Sequence, residues 1–287
     1  MFKLFKKCSL KTIDKFSVDK EIENFTELGV SDNDVIVSLT SFPERMYEIH
    51  YTLYSLLTQT YKPSKVILWL ATEQFPDLEK DIPEKVLKLK ENGLTIKWCS
   101  NLYSYKKLIP SLKEYPEKII VTSDDDVYYD KEWLERLVLA HKKHPDCIIS
   151  HRAHRIKLNK GIISPYKKWK KCIKGSDKAS YFNFLTGIGG VLYPPGCFYK
   201  DILNEDLFNE IVPKADDVWF WAMAVLNGYK ILVPKNYIKD IRYLNPERER
   251  GLTNEITLFS MNKKGGNDLQ LAKLLEHYPQ ISDILKK

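Results

Sequence analysis

The chain has 287 residues, of which 44% are hydrophobic and 29% charged, the composition of a soluble globular protein whose core needs neither disulfides nor metals to hold it. Basic residues exceed acidic ones by seven, and the excess is local: eight lysines between Lys157 and Lys178 face Asp177 as the only acid. The longest apolar run, Val218–Leu226, is far short of a membrane span, and lysines break up the start MFKLFKKCSL, so a fibre, an integral membrane protein, a small disulfide scaffold and a secretory leader are not expected.

Residues 1–34 are charged and weakly periodic and read as an arm or short helix. The β-branched run Val35–Thr40 reads as a buried strand. A loop, Ser41–Arg45, leads into a helix with Met46, Ile49, Leu53, Leu56 and Leu57 on one face. Lys65–Leu70 is a second strand. A helical stretch from Pro83 to Asn92 then closes on Gly93, which suits a C-cap. Leu94–Cys99 is the third strand. Tyr105–Tyr115 has helical spacing but contains Pro110, so that helix kinks or starts late. Lys118–Thr122, the fourth strand, runs straight into Asp124, Asp125 and Asp126. Asp130 is placed to cap a helix carrying Trp133, Leu134, Leu137, Val138 and His141, and Cys147–Ser150 is the fifth strand.

This alternation predicts an α/β fold with an open, mostly parallel, Rossmann-type sheet and helices on both faces. In such sheets ligands bind at the C-terminal ends of the strands, where the Asp triplet lies. From His151 the alternation stops, and periodicity returns at Val218–Leu226 and Leu269–His277. The expected division is an arm (1–34), a nucleotide-binding half (35–150) and an acceptor-binding half (151–287) on one domain.

Cys8, Cys99, Cys147, Cys172 and Cys197 form no CxxC pair and are odd in number. Neither a zinc knuckle nor a disulfide framework is expected, and scattered thiols suit the reducing cytoplasm. The lysine segment is either a solvated face or a site for an anionic partner, a phosphate-bearing substrate or a membrane surface. No nucleic-acid-binding motif accompanies it, so nucleic acid is not an expected partner.

Three consecutive carboxylates repel one another unless compensated. In an extended segment Asp124 and Asp126 would share a face, and two carboxylates on one side suit a hard divalent cation. Asp216 and Asp217 open an apolar helix, where either could be the N-cap; Asp216, directly after Ala215, suits that position better. Trp219 and Trp221 flank them as ring-stacking platforms or as core. The TGIGG segment, Thr186–Gly190, permits close backbone approach to a ligand or simply a tight turn. Gly265, Gly266, Asn267 and Asp268 read as a loop and helix cap. His151, His154 and His277 read as structural.

Four segments carry a resemblance to glycosyltransferases of the GT-A fold, close to the family 2 type. VIVSLTSFPERM resembles the family's first strand and nucleotide loop, and SLLTQTYKPSKVILWL its first helix and second strand. KIIVTSDDDVYYDKEWLERL resembles its DxD strand and following helix, and KADDVWFWAMAVLNG its later acidic motif. They occur in the family's order and cover roughly Val35 to Val233.

The resemblance implies metal-dependent, inverting hexosyl transfer from a nucleotide-sugar donor, expected to be UDP-linked, to a glycan or lipid-linked acceptor in cell-surface polysaccharide synthesis. It implies Mn²⁺ or Mg²⁺ held by Asp126, with Asp125 as its rival, and Asp124 on the metal or the ribose. Thr40, Ser41, Phe42 and Arg45 would line the nucleotide pocket, with Lys106 or Lys107 steadying the nucleotide beside Asp124 and Asp125. Asp217, or else Asp216, would be the catalytic base, and Gly189, Gly190, Trp219 and Trp221 would border the donor-sugar and acceptor pocket. The family often has Tyr at Phe42 and Asp where Ala71, Thr72 and Glu73 stand, which leaves the base identity open. The lysines and the amphipathic start would hold the enzyme at the inner face of the cell membrane. Two other readings are a catalytically silent GT-A-like binding or scaffold module and a nucleotidyltransferase. Both acidic motifs argue against the first, and the glycine-free loop TSFPER against the second.

Overall fold

A computed structural model describes residues 11–250 and 266–286. The first half contains α1 (Lys15–Glu23), β1 (Val35–Thr40), α2 (Ile49–Leu57), β2 (Lys65–Ala71), α3 (Glu84–Leu87), β3 (Leu94–Cys99), α4 (Ile109–Glu114), β4 (Ile119–Thr122), β5 (Val127–Tyr128), α5 (Trp133–Lys143) and β6 (Cys147–Ser150). The second half adds β7 (Ala153–Arg155), β8 (Leu158–Asn159), β9 (Ile162–Ile163), β10 (Asn183–Leu185), β11 (Val191–Tyr193), α6 (Glu205–Ile211), α7 (Asp216–Leu226), β12 (Lys230–Leu232), β13 (Arg242–Tyr243) and α8 (Pro246–Arg250), followed by helices Asn267–His277 and Gln280–Ile284.

Seven strands form one sheet in the order β12–β6–β11–β4–β1–β2–β3. Every neighbouring pair is parallel except those of β11, which runs antiparallel to both β4 and β6. The inner strands β1, β2 and β4 are buried on both faces, which is why they read as near-continuous apolar runs, while the edge strand β3 is only half-buried. Ile36, Ile67, Trp69, Ile120 and Ile148 face a core completed by α4, α6, α7 and the helix Asn267–His277. Val35, Val37, Leu39, Val66, Leu68 and Leu70 face the opposite core, completed by α2 and α5. The expected α/β architecture with helices on both faces is therefore present, and β11 and β12 bring the second half of the chain into the same sheet.

Local chemistry sets where the helices begin. The helix expected from Met46 starts at Ile49, because Pro43–Arg45 first makes a 3₁₀ turn with proline at its start. Tyr105–Tyr115 divides into a 3₁₀ turn, Tyr103–Lys107, and α4, with Pro110 in the first turn of α4 where its missing N–H costs nothing. Gly93 ends the Lys88–Asn92 turn in the left-handed conformation, φ 105°. Asp130 does not cap α5. That helix begins at Trp133 with Glu132 at the cap position, and the Asp130 carboxylate is drawn instead into an ion pair with Arg242. Residues 1–34 contribute α1, which Asp14 caps and whose Val18 packs with Tyr51, Tyr54 and Leu244. The MFKLFKK start and Gly265 lie outside the described residues. Among the described residues no helix is long and apolar enough to cross a membrane.

Candidate active site

The loops after β1, β2, β3 and β4 meet at one end of the sheet, together with the turn after β10 and the first turn of α7. Thr40 ends β1 and donates its hydroxyl to Trp69 O (2.8 Å), tying β1 to β2 rather than pointing into the crevice. Ser41 Oγ donates to Asp125 Oδ2 (2.5 Å). Arg45 Nη1 reaches Asp125 Oδ1 (2.5 Å) and Asp126 Oδ2 (2.7 Å), and its guanidinium carbon lies 5.2 Å from the ring centroid of the half-buried Phe42. After β3 both candidate lysines are buried, and they diverge. Lys106 Nζ donates to Gln74 Oε1 (2.8 Å) and approaches Ser41 O (3.5 Å). Lys107 Nζ donates to Asp124 Oδ1 (2.7 Å) and lies 3.2 Å from Asp216 Oδ2.

Lys107 thus joins two acidic motifs that are far apart in the chain. Gly187 shows how tightly they meet. A Cβ there would stand 3.1 Å from Lys107 Nζ and 3.3 Å from both Asp124 Oδ1 and Asp217 Oδ1. Its own N–H donates to Asp217 Oδ1 (3.0 Å). Only a residue without a side chain leaves this space open, and it borders three functional groups at once.

The electrostatics follow from this crowding. Burial, reinforced by Asp216 and Asp124, holds the Asp217 carboxyl well above the usual carboxylate range, and Lys107 only partly opposes it. Burial also raises Asp126, with Asp125 and Asp124 adding to the effect and Arg45 counteracting it. Burial pulls Lys107 down, but Asp124, Asp216 and Asp217 outweigh it and hold the ammonium well above its ordinary value. Arg45 behaves in the same way between Asp125 and Asp126. Lys106, with no carboxylate in direct contact, is lowered by its burial.

Several expectations need correction. Asp124 and Asp126 do not share a face, because the chain leaves the extended conformation and turns at Asp125–Asp126. The turn presents Asp125 and Asp126 together to Arg45 and sends Asp124 to Lys107. Asp216 is not the N-cap of α7. Ala215 holds that position, and both acids lie in the first turn, where the positive end of the helix favours them. Trp219 and Trp221 are fully buried core, donating their indole N–H groups to Ile202 O (3.2 Å) and Tyr181 O (2.9 Å), so neither can present a face to a ligand.

Gly189 and Gly190 also serve packing. A Cβ at Gly189 would meet Arg152, and one at Gly190, where φ is 90°, would come within 2.6 Å of three atoms of the Trp133 indole. Gly266 stands at the N-cap of the helix Asn267–His277, and Asp268 inside that helix accepts from Tyr166 N (2.6 Å). His151 bridges Trp133 O (2.9 Å) and Ile238 N (3.0 Å), and His154 accepts from Cys172 N (3.1 Å), so both are structural.

Within TGIGG it is Gly187, rather than the expected Gly189 and Gly190, that borders the acids, and two participants were not anticipated: Gln74, and Tyr129, whose hydroxyl accepts from Asp124 N (2.8 Å). TGIGG announces glycines without showing which one faces the acids. Gln74 and Tyr129 carry no local signal at all.

The donors fit a hard divalent cation in kind. Five carboxylates (Asp124, Asp125, Asp126, Asp216, Asp217) share the crevice with three cations (Arg45, Lys106, Lys107), leaving negative charge unneutralised in a buried place. As placed, no three metal-ligating side chains converge among the described residues, since Arg45 and Lys107 already hold the carboxylates.

No family model matches the sequence, and no curated protein matches it. Among solved structures, S. aureus TarS 1–349 in complex with UDP is similar at 17% identity over 71% of this chain and 59% of that one, with a TM-score of 0.45. The chain thus spans less than two thirds of that TarS fragment. The mannosyltransferase PcManGT from Pyrobaculum calidifontis, in complex with GDP-Man and Mn²⁺, is similar at 12% identity over 95% of this chain and 81% of that one, with a TM-score of 0.47. A CMP:2-keto-3-deoxy-manno-octonic acid synthetase with CTP is similar at 12% identity over 82% of this chain and 100% of that one, with a TM-score of 0.42.

Proposed function

We propose that this chain is a glycosyltransferase of the GT-A type that moves a hexosyl group from a nucleotide-sugar donor to a hydroxyl of a glycan or lipid-linked acceptor, with inversion. The observation that carries this reading is the junction at Lys107, which brings the DxD-type acid Asp124 and the acids of α7 around one buried ammonium, with Gly187 leaving room beside them. A charge cluster of this kind is costly to fold. It belongs where charge moves during a reaction.

Within the cluster each residue has work it can do. Asp217 takes the proton of the attacking acceptor hydroxyl, and its raised carboxyl suits a base operating near neutral pH. Lys107 fixes Asp124 and Asp216 beside it. Ser41, Arg45 and Lys106 line the nucleotide side, and Phe42 offers its ring there. Asp126 would hold Mn²⁺ or Mg²⁺ together with Asp125, which the turn brings to the same side, while Asp124, paired with Lys107, would reach the ion or the ribose from the other side. When bound, the ion supplies positive charge against the departing diphosphate. Inversion follows from direct attack opposite the leaving group, which needs one base and no protein nucleophile. Donor binding tests the reading. A panel of UDP- and GDP-sugars with Mn²⁺ should contain at least one that raises the melting temperature, and Asp126→Ala, once shown to be folded without ligand, should lose that rise. A panel without effect on the parent protein contradicts the reading.

The acceptor side has its own chemistry. A groove of about 650 Å³ is lined by Arg155, Lys157, Lys168 and Lys170 with the apolar Ile156, Leu158 and Phe182, and contains no acid. Ile162 is 73% exposed on the adjoining β8–β9 hairpin. These features support contact with an anionic lipid surface at the inner face of the cell membrane, where surface-glycan synthesis would place the enzyme in the cytoplasm. Changing Lys157, Lys168 and Lys170 to Gln should weaken sedimentation with phosphatidylserine vesicles at low salt. Equal binding by both proteins would leave the groove as a solvated face.

A further inference from the structure

Arg45 is bound in an unusual way for a buried arginine. A guanidinium offers five N–H donors in a planar fork and prefers parallel, bidentate bonds to one carboxylate. Here Nη1 alone serves two carboxylates, at 2.5 Å to Asp125 and 2.7 Å to Asp126, while the buried Nε has no hydrogen-bond partner. The side chain hangs from a 3₁₀ turn whose Pro43 and Glu44 are exposed. Asp125, by contrast, is anchored independently by Ser41 Oγ at 2.5 Å. Asp125 is therefore held in place without Arg45, while Asp126 is fixed through its backbone carbonyl, which accepts from Leu244 N (2.9 Å), and Arg45 is held chiefly by the two carboxylates.

One positive charge also leaves the Asp125–Asp126 pair with a residual negative charge. A divalent cation would remove it, but three of the pair's four oxygens are taken, Asp125 Oδ1 and Asp126 Oδ2 by Nη1 and Asp125 Oδ2 by Ser41, so a cation at the remaining Asp126 Oδ1 would stand against the guanidinium. Two cations crowded on one carboxylate pair repel, and each lowers the apparent affinity of the other by the same factor. We infer that Arg45 is a resident counter-ion of the Asp125–Asp126 pair, and that a divalent metal can take these carboxylates only by displacing it. The inference rests on the transferase reading of the crevice and deepens it. Metal binds weakly to the nucleotide-free protein, and a donor diphosphate, which contributes further oxygens to the metal and an anion for the released guanidinium, restores its affinity.

The test is direct titration of Mn²⁺, followed by the electron paramagnetic resonance of the free ion, on the full chain without nucleotide. Arg45→Gln and Arg45→Met should each bind Mn²⁺ at least ~10-fold more tightly than the parent, within the roughly 5–150-fold span of ordinary coupling between sites. Adding UDP should tighten Mn²⁺ binding to the parent more than to either variant. If the parent and either folded variant bind Mn²⁺ equally without nucleotide, the counter-ion role is wrong while the transferase reading stands. If no protein binds Mn²⁺ even with UDP present, both the inference and the metal-dependent reading fall.

Discussion

Asp217→Asn should lower turnover at saturating donor and acceptor by at least ~100-fold, the low end for loss of a general base, while the KM for donor changes little. Asn keeps the shape and can still accept the Gly187 N–H, so only proton acceptance is lost. The same substitution should stabilise the ligand-free protein. Asp217 has its carboxyl raised in the fold, above the ordinary 3.8, so it takes up a proton more readily folded than unfolded. Its charged form therefore penalises the fold. The penalty is absent at acid pH, grows as pH climbs above the unfolded value, and is complete above the raised one. Asn carries no such penalty, so at pH 8 the variant should melt a few degrees higher, on the scale of about 2–4 °C per kcal/mol for chains approaching this size, and the advantage should vanish toward pH 4. In the parent, kcat/KM should fall on the acid side with a midpoint above the usual carboxylate range. Asp216→Asn loses only a contact with Lys107 and should retain most of its turnover. The reverse pattern, with Asp216→Asn slow and Asp217→Asn near parental rates, would move the base to Asp216.

The second large effect is expected at Lys107. Replacing it with Met keeps length and apolar stem but removes the ammonium shared by Asp124 and Asp216 and felt by Asp217. Breaking a buried ion pair from one side typically costs about 3–5 kcal/mol, since the remaining charge stays buried without compensation. At about 2–4 °C per kcal/mol the melting temperature at pH 8 should drop by roughly 6–20 °C. The deficit should shrink toward pH 5. Without Lys107 to hold it down, Asp217 rises further and is neutralised by protonation as pH falls. Calorimetry of parent and variant at both pH values tests this. A variant as stable as the parent at pH 8 would mean that Lys107 does not hold the cluster together.

The inner strands were legible because burial on both faces leaves apolar, β-branched runs, and the half-buried edge strand Leu94–Cys99 because its residues still favour extended backbone. Val35–Thr40, Leu94–Cys99 and Cys147–Ser150 stand where the sequence places them. The crevice was legible in its members more than in its geometry. Alternation along an extended chain paired Asp124 with Asp126, but β5 pairs with the distant β13, and the chain turns at Asp125–Asp126 to enter that ladder. No local signal announces such a partner. The preference of Asp for the N-cap was overridden at Asp216, which lies beside Lys107, a contact made across the fold. Trp219 and Trp221 are a different case. A helix apolar on every side is a buried helix, and Val218–Leu226 shows that pattern plainly, so their core position follows from residues already in view.

Release of nucleoside diphosphate from a panel of nucleotide sugars, with Mn²⁺ and a mixture of sugar acceptors, tests glycosyl transfer at this crevice most directly. The parent protein should release diphosphate from at least one donor. Asp217→Asn and Asp126→Ala, shown to be folded by their melting curves, should be slower by at least ~100-fold. Release from no donor, or equal release by the parent and Asp217→Asn, would contradict it.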